Sequence, residues 1–314
     1  MQALPAMLRA PASSPAPWRH PVWLLLIGIG GFLFGIGLLF FGSAQTARSG
    51  EFVRTTGFAV WAASIGAQTA YWAVIAGPLW ADLAAVWRQA KPGRAAMLTL
   101  AGTLAVIVIA LPIFSAAARV AWPLWGHTMK IRALTIIGGL VAGVPALAGI
   151  ALVQRQASER ATGRIGMDDV AAALEARSRI LRFLSVAGGV IGLAVLAAGA
   201  LREATVPDFV AEGDFPQEGI LLYGAFFTGL LLLVYGPAHT ALKRLGVRIR
   251  DHYFPLSEMP APDADTFKGW LDRRATLETL LQLNVTPGQQ LQASLFILAP
   301  LLSAVLTALV PKPT

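Results

Sequence analysis

The chain has no cysteine. Disulfides, thiolate nucleophiles, iron–sulfur clusters and cysteine-held zinc are thereby excluded. Charge is scarce too. Only 13% of the 314 residues are Asp, Glu, Lys or Arg, against about 25% in a typical soluble domain. Hydrophobic residues make up 56% and the mean hydropathy is +0.63, too little polar surface to cover a globule in water. The four histidines, His20, His127, His239 and His252, sit on separate segments with no HExxH or HxxxH pair. No metal site is expected from that spacing. A GxxxxGK[ST] loop, a GxGxxG after a strand and a GxSxG elbow are all missing. Nucleotide-binding and acyl-transfer signatures are therefore absent, and neither a cofactor nor a catalytic residue is expected from motifs.

Acidic residues are the minority sign, 17 against 25 basic ones, giving a net charge of +8 and a pI near 10.4. A basic pI accompanies nucleic-acid binding when the charges form a patch or stripe. Here they flank apolar runs instead. They read as orientation signals and contacts to anionic lipid headgroups, and no nucleic-acid partner is expected. Arginine outnumbers lysine 20 to 5 and alanine is abundant, a bias that fits a GC-rich bacterial genome.

What is present is long apolar stretches. A spanning helix needs about 20 mostly apolar residues to cross roughly 30 Å of hydrocarbon. Seven segments meet that length: 22–42, 57–79, 97–118, 133–153, 183–201, 219–242 and 291–310. The second is the weakest, because it carries Ser64, Gln68, Thr69 and Tyr71, yet it holds no charge. The expected fold is an all-α integral membrane protein, a bundle of about seven transmembrane helices with short amphipathic helices on the cytoplasmic side. It divides into a flexible N-terminal segment, 1–21, and one transmembrane domain, 22–310. The first apolar stretch exceeds the usual signal-peptide core, so it reads as an uncleaved helix.

Between the spans, Pro78 to Trp87 reads as an amphipathic extension lying in the headgroup region, with Pro78 marking a bend. Asp168 and Asp169 favour a helix start that runs directly into the fifth span. Arg202 to Glu218, with Glu203, Asp208, Glu212, Asp214 and Glu218, reads as an acidic loop. Segment 243–290 opens with Lys243, Arg244, Arg248 and Arg250, the expected contacts for anionic headgroups. It continues into an amphipathic helix over about 265–283, striped by Phe267, Trp270, Leu271, Leu277, Leu280 and Leu281. Thr286-Pro287-Gly288-Gln289 suits the start of the last helix.

With the N-terminus inside, 18 basic residues fall on cytoplasmic segments and 7 outside, as the positive-inside rule requires. The expected location is a bacterial inner membrane, crossed several times, with the N-terminus cytoplasmic and the C-terminus outside. One loop resists, because Arg119, Lys130 and Arg132 fall on the outer side.

No span carries an ionisable residue near its centre, which disfavours transport through a buried carboxylate. The candidate cavity or interface residues are Gln68 and Tyr71 in the second span, Asp82 just after it, and Tyr235 and His239 in the sixth. They would either line a cavity or bond between helices, the commoner use of such groups, worth about 0.6 kcal/mol each. Small residues at four-residue spacing, Gly31/Gly35, Ala62/Gly66/Ala70, Gly139/Gly143 and Gly188/Gly192, allow close helix approach within the bundle or, alternatively, in a homo-oligomer. The functional expectation is a non-enzymatic anchoring, sensing or complex-forming subunit, with segments 154–182 and 243–290 facing a cytoplasmic protein partner. One alternative is a small-molecule transporter or channel with a cavity between the second and sixth spans. Another is a membrane enzyme acting on lipid through Asp82, His239 and His252.

Overall fold

The structure, a computed structural model, describes residues 21–41, 47–90, 101, 127–206, 208–263, 265–283 and 287–309. The expected third span, 97–118, the N-terminal segment before 21 and the Thr286 cap lie outside the described residues. No strand occurs among the described residues. The helices are α1 (Pro21–Phe40), α2 (Ala47–Val53), α3 (Thr56–Ala90), α4 (His127–Gly138), α5 (Val144–Thr162), α6 (Asp168–Thr205), α7 (Gln217–Tyr253), α8 (Asp265–Leu280) and α9 (Pro287–Leu309). A π-helical turn, Gly139–Gly143, joins α4 to α5.

Five helical segments among the described residues are long and apolar enough to cross a membrane: Pro21–Phe40, Thr56–Gln89, Met129–Thr162, Asp168–Thr205 and Glu212–Glu258. Within α9 the apolar stretch Leu295–Thr307 is shorter. The chain is thus helical with several membrane-length apolar helices, as its composition requires.

Helix α6 is the central helix, packed against α3, α5, α7 and α9. It is apolar on all sides through its middle, and small residues let its neighbours approach. At Gly188 the Phe296 carbonyl of α9 sits where any Cβ would stand. That carbonyl lies four residues before Pro300, which has no N–H to offer it. Gly31 and Gly35 on α1 serve the same purpose against α3, where the Thr69 hydroxyl donates to the Gly31 carbonyl at 2.7 Å. Gly139 faces open space instead. The first, second and last small-residue pairs therefore pack within one chain.

Proline shapes the bundle at a second point. Pro145 has no N–H for the Val141 carbonyl four residues earlier, and the Trp80 indole N–H donates to that carbonyl at 3.1 Å.

Two expectations change. Helix α3 does not break at Pro78 but continues to Ala90 as one helix. Its last turns are not laid into headgroups alone. Val86 is buried, Asp82 pairs with Arg182 at 2.6 Å, and Gln156 of α5 donates to the Val86 carbonyl at 3.0 Å. Trp80 and Trp87 do remain exposed. Second, Arg202 is not in a loop: α6 runs on to Thr205. Lys243 to Arg250 are helical, because α7 continues to Tyr253. The start of α6 at Asp168 and its unbroken run into the apolar span agree with the sequence.

One of the charges that resisted the expected orientation, Lys130, has a local role. Lys130 donates to the Leu39 carbonyl at 2.7 Å and also to that of Phe41. A cation there satisfies the last carbonyls of α1 and the negative end of its dipole.

Candidate functional site at the basic end

Helix length decides where the polar ends go. At 1.5 Å per residue, α6 and α7 are each about 55 Å long, well beyond a hydrocarbon core of roughly 30 Å. Their charge-free stretches are 183–201 and 219–242. The excess, 168–182 on α6 and 243–253 on α7, therefore projects at the same end, which we call the basic end.

This projecting part has its own apolar core. Ala157 and Ala161 of α5, Ala173 of α6, Ala241, Leu245 and Ile249 of α7, and Leu281 and Leu283 beyond α8 form a cluster separate from the main one. Polar ties surround it. Arg160 meets Asp169 at 2.8 Å. Arg248 donates to the Ala161 carbonyl and, at 3.4 Å, to that of Gly163, closing the end of α5. Arg250 pairs with Asp251 at 2.7 Å and Glu278 at 3.2 Å, and Arg274 with Asp251 at 3.1 Å. The Arg250 hydrogen bond, with further help from Arg274, holds the Asp251 carboxyl below its ordinary pKa.

Helix α8 docks by part of its expected stripe. Trp270 and Leu281 are buried and Phe267 and Leu277 half-buried, but Leu271 and Leu280 are exposed. The Arg274 guanidinium stacks over Trp270, 5.5 Å from the ring centroid. The helix ends in a Schellman turn. Leu283 N–H donates to the Glu278 carbonyl at 2.9 Å, and Gln282 N–H to that of Thr279 at 3.0 Å. Gln282 takes the left-handed φ of 50° where glycine is usual. Leu283 then seats against Gly246 of α7, where a Cβ would lie 2.7 Å from it.

Beside this turn is a cleft of about 280 Å³. It is lined by Ala173, Leu174 and Arg177 of α6, His239, Leu242, Lys243 and Gly246 of α7, and Leu281 to Leu283. Arg177 donates one N–H to the Leu281 carbonyl at 2.9 Å. The Tyr235 hydroxyl lies 3.4 Å from His239 Nδ1.

His239 thus lines the cleft, and Tyr235 touches that histidine from one turn earlier on α7. Gln68 is buried and Tyr71 half-buried on α3, with the Tyr71 hydroxyl against Gly189 of α6. Helix α3 packs on α1, α5 and α6, whereas α7 packs on α5, α6, α8 and α9. The two pairs of candidates therefore do not meet, and α3 contributes nothing to the cleft's lining. Asp82 is held by Arg182. His252 lies thirteen residues beyond His239, about 20 Å along one helix. Among the described residues no three His, Asp or Glu side chains converge where a metal could sit.

No protein-family model, curated protein or solved structure matches the chain. Its chemistry has to be read from its own side chains.

Three residues escaped the sequence reading. Arg177 looked like one of six arginines in a polar connector, and only its α6 register turns it into the cleft. Gln282 carries no sequence signal for its left-handed cap. Arg202 is the lone cation of an acidic segment, and that isolation was a usable signal. It is buried, donating to the Phe215 carbonyl and Glu203 at 2.9 Å and to Glu212 at 3.2 Å.

Proposed function

We propose that the chain is a non-enzymatic membrane subunit that anchors or senses, and that its basic end is a docking platform for a soluble cytoplasmic protein. The observation that carries this reading is the separate apolar core of the projecting helix ends. Ordering that much backbone beyond the membrane costs about 1–2 kcal/mol per residue, which burial at a second core must offset. A mere connector needs no such core. The platform presents Leu271 and Leu280 of α8 uncovered beside exposed Arg273, a mixed apolar and charged face of the kind protein partners cover.

The topology we propose with it has seven crossings of a bacterial inner membrane, the N-terminus inside and the C-terminus outside. The basic surplus supports the orientation. Because the chain has no cysteine, a single introduced one reports its side directly. Asp214→Cys should react with an impermeant maleimide added to intact cells, and Arg273→Cys only after permeabilisation. The reverse pattern overturns the orientation.

Docking is tested by photo-crosslinkers placed in cells at Leu271, Leu280 and, as the opposite-end control, Asp214. A discrete protein adduct from the two leucine positions, lost on Leu271→Asp, supports the platform. Adducts absent from both positions, or equal at Asp214, overturn it.

A further inference from the structure

Seven arginines of the bundle are taken up by carboxylates: Arg155, Arg160, Arg179, Arg182, Arg202, Arg250 and Arg274 each have one within 3.2 Å. Arg177 and Lys243 have no ion pair among the described residues, and both line the cleft at the basic end, together with His239 and with no acidic residue in the lining. The bond from Arg177 to the Leu281 carbonyl fixes the guanidinium and occupies one of its five donors. The left-handed Gln282 completes the rim. Strain of that kind persists where the surroundings enforce it, often at ligand sites.

We infer that this cleft binds a phosphate group, and that the phosphate is the headgroup of an anionic phospholipid. An arginine fork beside a lysine point charge is the recognition chemistry of phosphate oxygens. Depth favours a lipid source over a free ion. Lys243 is the first charged residue after the charge-free stretch 219–242, which puts it at headgroup level. Leu174 and Leu242 give the cleft an apolar wall. Up α7 from the cleft, Lys243, His239, Gly236 and Leu232 follow one face at helical spacing. Leu232 and Gly236 are exposed, and a Cβ on Gly236 would meet nothing within 4 Å. That face is an open track along which an acyl chain can lie, leading into the cationic cleft. The cleft lies just below the usual range of small-ligand pockets, about 300–1,000 Å³, so it suits a headgroup and leaves the chains outside. The assignment is independent of the docking platform proposed above.

The test uses the purified full chain in a neutral detergent, with bound lipid counted by native mass spectrometry. Three probes are titrated separately: phosphatidylglycerol, phosphatidylcholine and inorganic phosphate. Phosphatidylglycerol should be retained and phosphatidylcholine should not. Lys243→Gln and Arg177→Gln should each weaken phosphatidylglycerol retention about tenfold, the loss of one charge-assisted hydrogen bond. Arg244→Gln removes the same charge from the neighbouring residue outside the lining and should leave retention nearly unchanged. Arg177→Gln also frees the Leu281 carbonyl, so its melting temperature is measured alongside. Lys243 is exposed and makes no such bond, and its variant decides the matter if Arg177→Gln does not fold. Equal losses from Lys243→Gln and Arg244→Gln would overturn the site in favour of diffuse surface attraction. Equal retention of phosphatidylcholine would overturn it too. Displacement of phosphatidylglycerol by inorganic phosphate at comparable concentration would assign the cleft to the free ion and overturn the lipid.

Discussion

The two ends of the bundle handle isolated charge in opposite ways. In the acidic segment 202–218 five carboxylates accompany one arginine, and that arginine is buried and paired with two of them. Arg202 holds the Phe215 carbonyl, Glu203 and Glu212, and so folds the turn from α6 to α7 back on itself. At the basic end, cations outnumber acids, and the surplus is sorted. Arg160, Arg250 and Arg274 are spent on carboxylates that knit α5, α6, α7 and α8 together, whereas Arg177 and Lys243 face a cleft without a counter-ion. A charge with all its partners inside the chain stabilises the fold. A charge left facing an opening is available to something outside it. Of the four headgroup contacts expected from sequence, Arg248 and Arg250 belong to the first class, and Lys243 stands in the second.

The strongest way to break this contrast is at Arg202. Arg202→Met leaves the Phe215 carbonyl without its donor and should cost about 2–3 kcal/mol, discounted because Glu203 and Glu212 can reach water. Thermal unfolding in detergent reads it, and a neutral outcome would mean that the acidic turn does not depend on its one cation. Next in size is Arg274→Met at the other end. It removes the bonds to Asp251 and the Phe254 carbonyl and the stacking over Trp270, for about 1–2 kcal/mol. Amide exchange should show the loss confined to α8, with the membrane-spanning helices unchanged. Exchange spreading through α6 would join the two cores into one cooperative unit.

A third change runs the other way. Gln282→Gly relieves the left-handed residue in the Schellman turn and should stabilise α8 by about 1 kcal/mol. A loss of stability would show that the glutamine side chain contributes more than its backbone strain costs. The smallest effect is that of pH. The Asp251 pKa is depressed, by hydrogen bonding to Arg250 first. Its contribution is therefore present above the ordinary aspartate pKa of about 3.9 and disappears as pH falls through the lower folded value. Exchange protection of α8 should stay flat from neutral pH to about 5 and decline only below about 4. Asp251→Asn should flatten that decline.

Much of the architecture was legible from single residues. The charge-free stretches of α1, α6 and α7 announced membrane-length helices. Asp168 marked the start of α6, and Gly31/Gly35 and Gly188/Gly192 marked where helices touch. The candidate site was legible only in part. Tyr235 and His239 stood out as polar groups in an apolar run, but nothing along the chain distinguished Arg177 from Arg179 or Arg182. Those three lie within two helical turns, and which one turns into the cleft depends on the rotation of α6 about its axis. Pairing Gln68 and Tyr71 with the sixth span was likewise a guess about neighbours, and α3 and α7 pack against different partners.

Composition by itself determined that the chain builds membrane-length apolar helices, because a chain so poor in charge and so rich in apolar runs has too little polar surface to cover a globule in water. Local sequence then set where those helices start and how far they extend past the hydrocarbon. Only the tertiary structure decided which charges are spent and which are left open, since pairing depends on distances between helices that are remote in sequence, as Arg202 with Phe215 and Arg177 with Leu281 illustrate.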